Sequence, residues 1–73
     1  MPVPGPPDIM LTQRQIDLLG LVATGKTDAE IAALLNISGE AVEDDMRQIF
    51  RKLDVNSRVT ATVKGIMLGL IAP

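Results

Sequence analysis

The sequence predicts an all-α fold, a bundle of four helices, and three observations carry that prediction. Thr12, Thr27, Ser38 and Ser57 each stand just ahead of an apolar run, where a side-chain oxygen accepts one of the backbone N–H groups that a helix start leaves unpaired. Within each run apolar residues recur three and four positions apart, the spacing of one helix face. Alternation of apolar and polar residues, which a half-buried strand requires, is absent, and the β-branched residues fall on helical faces.

The first helix starts at Gln13. Thr12 and Gln15 have the spacing of a capping box, in which hydroxyl and glutamine side chain each satisfy a backbone N–H of the other residue. Leu11 and Ile16 supply a hydrophobic staple, and Ile16, Leu19, Val22 and Ala23 continue the apolar stripe. Gly25 offers the left-handed residue that ends a helix. Thr27 and Glu30 repeat the capping box, and Ile31, Leu34 and Leu35 give a short second helix its buried face, ending near Asn36.

Ser38 caps a third helix in which Val42, Met46, Ile49, Phe50 and Leu53 form one inward stripe, with Glu43, Asp44, Arg47 and Arg51 on the other side. Phe50, the only aromatic residue, is expected in the core as its largest side chain. The turn at Asp54, Val55 and Asn56 leads to Ser57 and a fourth helix carrying an apolar band of Val59, Val63, Ile66, Met67 and Leu70. Gly65 and Gly69 are expected on that helix, and their cost to helix stability suggests close approach by another backbone.

Composition narrows function by exclusion. A chain of 73 residues makes one domain at most and buries only roughly 60% of the surface its unfolded form exposes, so stability is modest and a partner subunit would help. With no histidine and no cysteine, zinc-finger ligand sets, disulfides, imidazole bases and thiol nucleophiles are all lacking, and no enzyme is expected. A single aromatic leaves no stacking platform for single-stranded nucleic acid. Residues 1–10 hold four prolines and a glycine without a basic or apolar targeting region; they are expected to be a flexible arm or linker, with the domain over 11–73 and the protein cytoplasmic. The apolar segment over 59–72 is too short to span a bilayer and is interrupted by Lys64, so no membrane is expected.

Charge is unevenly spread. Asp28, Glu30, Glu40, Glu43, Asp44 and Asp45 lie between Thr27 and Asp45 with no base among them, whereas Arg47, Arg51, Lys52, Arg58 and Lys64 follow Met46 against Asp54 alone. Neighbouring carboxylates on a helix point in different directions, so no metal site or other cofactor is expected.

Taken together, Leu11-Thr12-x-Arg14, Leu19-x-Leu21-Val22-Ala23-x-Gly25-x-Thr27-Asp28-x-Glu30-Ile31-Ala32, Ile37-Ser38, Val42, Ile49-x-x-Lys52-Leu53-x-Val55-x-Ser57-Arg58 resemble the LuxR/FixJ/GerE helix-turn-helix family. The match keeps register through three loops. The resemblance implies a LuxR-type bundle acting as the DNA-binding domain of a transcription regulator, with the recognition helix, about 39–53, entering the major groove of double-stranded DNA. It implies base reading at Glu43, Asp44 and Arg47, backbone contacts from Lys26, Thr27, Arg51, Lys52, Ser57 and Arg58, and a homodimer formed through Val59, Val63, Ile66, Met67 and Leu70. Arg14 and Glu30 are expected to pair and hold the first two helices together.

The recognition helix departs from the family pattern, which opens Ser-x-x-Thr-Val-Lys/Arg-x-His; here Ala41 replaces the threonine, Glu43 the basic residue and Asp45 the phosphate-touching histidine. Arg47 keeps its cation, and Glu43 four residues earlier is spaced to pair with it. Acids at a helix start also suit its dipole, and carboxylates can accept from cytosine N4, yet beside phosphates they repel. Two functions therefore stand open: DNA binding, or a helix-turn-helix module that has lost DNA and associates with a protein partner at its acidic face.

Overall fold

Four helices follow one another along the chain: α1 (Gln13–Ala23), α2 (Asp28–Leu35), α3 (Gly39–Leu53) and α4 (Arg58–Met67). They are seen in a computed structural model that describes residues 10–73. The proline-rich arm therefore lies outside the described residues, except for the exposed Met10. There is no strand among the described residues, and none of their helices is long and apolar enough to cross a membrane.

All four caps are used. Thr12 and Thr27 form complete capping boxes with Gln15 and Glu30, while the hydroxyls of Ser38 and Ser57 accept from the amides of Ala41 and Thr60. The helix ends share one device, a left-handed residue followed by an amide that reaches back five residues. Lys26 N–H donates to Leu21 O, Ile37 to Ala32 O, Val55 to Phe50 O and Leu70 to Gly65 O, with Gly25, Asn36, Asp54 and Gly69 at positive φ. Glycine adopts that conformation without a Cβ clash, and Asn and Asp tolerate it best among the rest.

The core is aliphatic. Leu11, Leu18, Leu19 and Val22 from the α1 region meet Ile31 of α2, Val42, Met46, Ile49 and Leu53 of α3, and Ala61 of α4. α1 packs against each of the other three helices, and α3 lies between α2 and α4. α4 comes close to α1 because its inner face is small: Ala61 and Gly65 are buried one turn apart. A Cβ on Gly65 would lie 2.8 Å from Leu19 Cδ2 and 3.3 Å from Ile71 Cγ1.

Several sequence expectations are corrected. Gly65 is closely approached, but by side chains, and Gly69 lies beyond the end of α4, where it makes the turn. Leu34 is 60% exposed, because an eight-residue helix wedged between α1 and α3 covers fully only Ile31; Leu34 borders an open groove with Ile16, Leu35 and Leu70. Phe50 is half-buried and flanks the core, since the buried stripe of α3 is centred on Ile49 and carries Phe50 to its edge. Ala23 is exposed, and Leu18, outside the expected stripe, is fully buried.

Two predictions follow from this geometry. Gly20→Ala, whose Cβ meets nothing within 4 Å, raises stability by about 0.5–1 kcal/mol through helix propensity. Gly65→Ala lowers it by about 1 kcal/mol, because overpacking of about 1–3 kcal/mol exceeds that gain. Equal rises in Tm for both variants would show that α4 does not pack so tightly. At α2, the Thr27 amide and then its hydroxyl hold the Glu30 carboxyl below its usual value. A lowered folded pKa means that the stabilisation is present above the ordinary carboxylate range and is lost as pH falls through the folded value. Glu30→Gln keeps an acceptor without the titration, so the wild-type advantage in urea unfolding shrinks as pH falls through and below the ordinary carboxylate range; a pH-independent difference would assign the cap no ionic part.

Candidate nucleic-acid interface

The two sides of α3 are chemically distinct. Val42, Asp45, Met46, Ile49 and Leu53 are buried, whereas Glu40, Glu43, Asp44, Arg47 and Arg51 are exposed along one outward row. The three candidate base readers, Glu43, Asp44 and Arg47, thus share an uncovered face. Arg47 Nη2 lies 3.7 Å from Asp44 Oδ1, with side chains 67% and 57% exposed, so its partner is Asp44 in place of the Glu43 expected from spacing. An exposed pair of this length is weak and leaves Arg47 able to re-aim. Glu43 makes no ion pair or hydrogen bond among the described residues.

Asp45 points the other way. It is 2% exposed, and Arg14 grips it with two bonds, Nε to Oδ2 at 2.6 Å and Nη2 to Oδ1 at 3.1 Å. The hydrogen bond and then the charge of Asp45 raise the pKa of Arg14 further. This corrects two expectations: Arg14 does not pair with Glu30, which is engaged at its own cap, and Asp45 does not face a groove. The reason is periodicity, since position 45 lies three after Val42 and four before Ile49 and so falls on the buried stripe.

A second polar tie runs beside the first. Gln15, 1% exposed, donates from Nε2 to Gln48 Oε1 at 2.9 Å, and Gln48 Nε2 donates to Asp44 Oδ2 at 2.8 Å. Lys52 Nζ donates to Gln15 Oε1 and to Met10 O, each at 3.1 Å. Lys52, expected at a phosphate, thus makes two bonds within the fold, as Arg58 does. Sequence reasoning placed Gln15 only in its capping box and missed Gln48; both sit at helical spacing beside core positions, which was the available signal.

The remaining backbone candidates gather where α2 and α4 begin. Arg58 Nη1 donates to Asp28 Oδ1 at 2.6 Å and Nη2 to Lys26 O at 3.3 Å, joining Lys26, Thr27, Ser57 and Arg58 at one corner. A shallow depression lined by Asp28, Glu43, Met46, Arg47, Phe50 and Arg58 connects this corner to the outward face of α3. Arg51 is exposed on that face and has no side-chain partner among the described residues. On α4, Val59, Val63 and Met67 are 73%, 51% and 78% exposed and form one stripe, while Ile66 is half-buried; Leu70, expected on this helix, lies beyond its end at Met67 and is also half-buried.

Comparison with known proteins agrees with this architecture. Residues 10–64 match the family described as bacterial regulatory proteins, luxR family. The chain is 44% identical over 57 residues, 78% of its length, to the nitrate/nitrite response regulator protein NarP of Escherichia coli. It is 49% identical over 53 residues, 73% of its length, to the nitrate/nitrite response regulator protein homolog of Haemophilus influenzae. It spans only 26% of the length of each of these relatives. The solved structure of the transcription factor GerE superposes with a TM-score of 0.81 at 26% identity, covering 85% of this chain and 92% of that one. The chain belongs to the luxR family of bacterial regulatory proteins, as its helix-turn-helix domain.

Proposed function

We propose that this domain, residues 11–73 behind a linker over 1–10, binds double-stranded DNA with α3 in the major groove. The observation that supports it most is the outward row of α3: Glu43, Asp44, Arg47 and Arg51 lie exposed on the helix that the rest of the fold holds in place. Beside it the Lys26–Arg58 corner offers cations and the amide-rich start of α2 to a phosphate. Named relatives support the regulatory role, among them the transcriptional activator protein AnoR of Acinetobacter nosocomialis, 34% identical over 64 residues. Because its named relatives are regulators, we read the domain as non-catalytic and working in the cytoplasm.

The acidic start of α3 makes this a weak, salt-sensitive binder. Glu40 and Glu43 add repulsion where phosphate neutralisation supplies most of the affinity. The same exposed acids favour the second reading, docking of a basic protein, and one experiment separates the two. In fluorescence anisotropy on random-sequence duplex at low salt, Glu43→Lys tightens binding on the order of tenfold, and the gain shrinks as salt rises. Arg51→Ala and Arg58→Ala weaken binding several-fold. Asp45→His gains nothing and lowers Tm, because it removes the anion that holds Arg14. If Glu43→Lys gains nothing and neither arginine variant loses affinity, α3 is not at DNA and protein association is the better account.

Pairing of two domains through Val59, Val63 and Met67 of α4 would set two recognition helices on a two-part site. Val63→Lys, at an exposed position, abolishes self-association in sedimentation without changing Tm. An unchanged association constant would place the dimer contact elsewhere.

A further inference from the structure

We infer that Arg47 and Asp44 act as one reading unit that selects a G·C base pair, Arg47 donating to guanine O6 and N7 and Asp44 accepting from the cytosine N4 amino group. This rests on the proposed docking of α3 in the major groove. A carboxylate is acceptor-only, and the major-groove edges offer it two donors, cytosine N4 and adenine N6. A guanidinium is donor-only, and its fork matches the adjacent O6 and N7 acceptors of guanine. Across a G·C edge the order is acceptor, acceptor, donor, so a donor fork beside an acceptor is its complement. Arg47 Nη2 and Asp44 Oδ1 lie 3.7 Å apart on the exposed row, so a donor and an acceptor stand side by side there. An A·T edge breaks the complement, because adenine offers only one acceptor beside its amino group and the thymine side adds a methyl.

The interior fixes the direction of Asp44. Buried Gln15 anchors Gln48, and Gln48 donates to Asp44 Oδ2, which leaves Oδ1 and the second lone pair of Oδ2 without a hydrogen bond on a side chain that is 57% exposed. Gln48 is thereby committed at both ends of its amide and is not itself the reader. Holding the carboxylate before binding lowers the rotamer entropy lost on contact. Glu43 lacks such a support: it rims the depression shared with Asp28 and Arg58 and is only a repulsive charge. Two neighbouring acids thus have separable effects, Glu43 on affinity at every sequence and Asp44 on which base pair is chosen.

The test is enrichment of a randomised duplex pool by the full chain, in the wild type and in the Glu43→Lys background, followed by atom-level changes in the enriched duplex. Replacing the selected guanine by 7-deazaguanine removes N7, and replacing its cytosine by N4-methylcytosine removes the groove-side N–H. Each change weakens wild-type binding on the order of tenfold. Asp44→Ala becomes indifferent to N4-methylcytosine and Arg47→Ala to 7-deazaguanine; both residues are exposed, so the fold is retained. Binding that is insensitive to both base changes, or an Asp44→Ala variant that stays sensitive to N4-methylcytosine, overturns the assignment. In that case a Glu43→Lys gain in affinity leaves the docking itself standing. Enrichment of no duplex by either protein overturns both.

Discussion

The outward face of α3 depends on a polar seam between α1 and α3. Apolar packing is non-directional, so Val42, Met46, Ile49 and Leu53 bury one side of the helix without fixing its rotation closely. The two-bond grip of Arg14 on Asp45 does fix it, because a planar fork meets a planar carboxylate in few orientations. Burying the Asp45 carboxylate carries a desolvation penalty that offsets much of the attraction. Its effect is greatest on which arrangement wins: with Asp45 inside and partnered, Glu43, Asp44 and Arg47 can only be outside. Gln15, Gln48 and Lys52 extend the seam to the C-terminal half of α3.

This seam changes the meaning of the acidic start of the helix. In sequence, Glu43, Asp44 and Asp45 are three consecutive charges facing phosphate. In the fold Asp45 is neutralised from within, Asp44 has Arg47 and Gln48 around it, and Glu43 alone remains without a partner among the described residues. Glu40, in the first turn, also suits the helix dipole. The repulsion that a groove would meet is therefore smaller than the formal charge suggests, and it rests on Glu43 and Glu40.

What was legible in the sequence was local. Caps at Thr12, Thr27, Ser38 and Ser57 and the left-handed Gly25 and Asn36 are decided by residues within one turn, and each is as expected. The errors arose where a second helix decides the outcome. Leu34 and Phe50 have core spacing, but the short α2 and the edge of the α3 stripe leave them partly uncovered. Arg14 is paired with Glu30 in the sequence reading, and the tertiary fold gives it Asp45 instead. Glu43 has the better spacing for Arg47, yet Asp44 is the one that meets it.

α4 shows why spacing alone could not assign its faces. The helix has two apolar sides: a small one, Ala61 and Gly65, against α1, and a large one, Val59, Val63 and Met67, toward solvent. A periodicity of 3.6 reports both alike, and only the size of the residues tells that the small side admits Leu19 at close range. The large side begins at Val59, next to Arg58, which is tied to Asp28 and to the Lys26 carbonyl. Val59 and Val63 also border a groove with Lys26, Thr27 and Arg58, so the proposed dimer face and the proposed phosphate corner are contiguous. In a two-fold pair a shift at that face would move both corners together relative to the duplex. Dimerisation and DNA contact would then be coupled through Arg58 and α4 itself, with no longer path required.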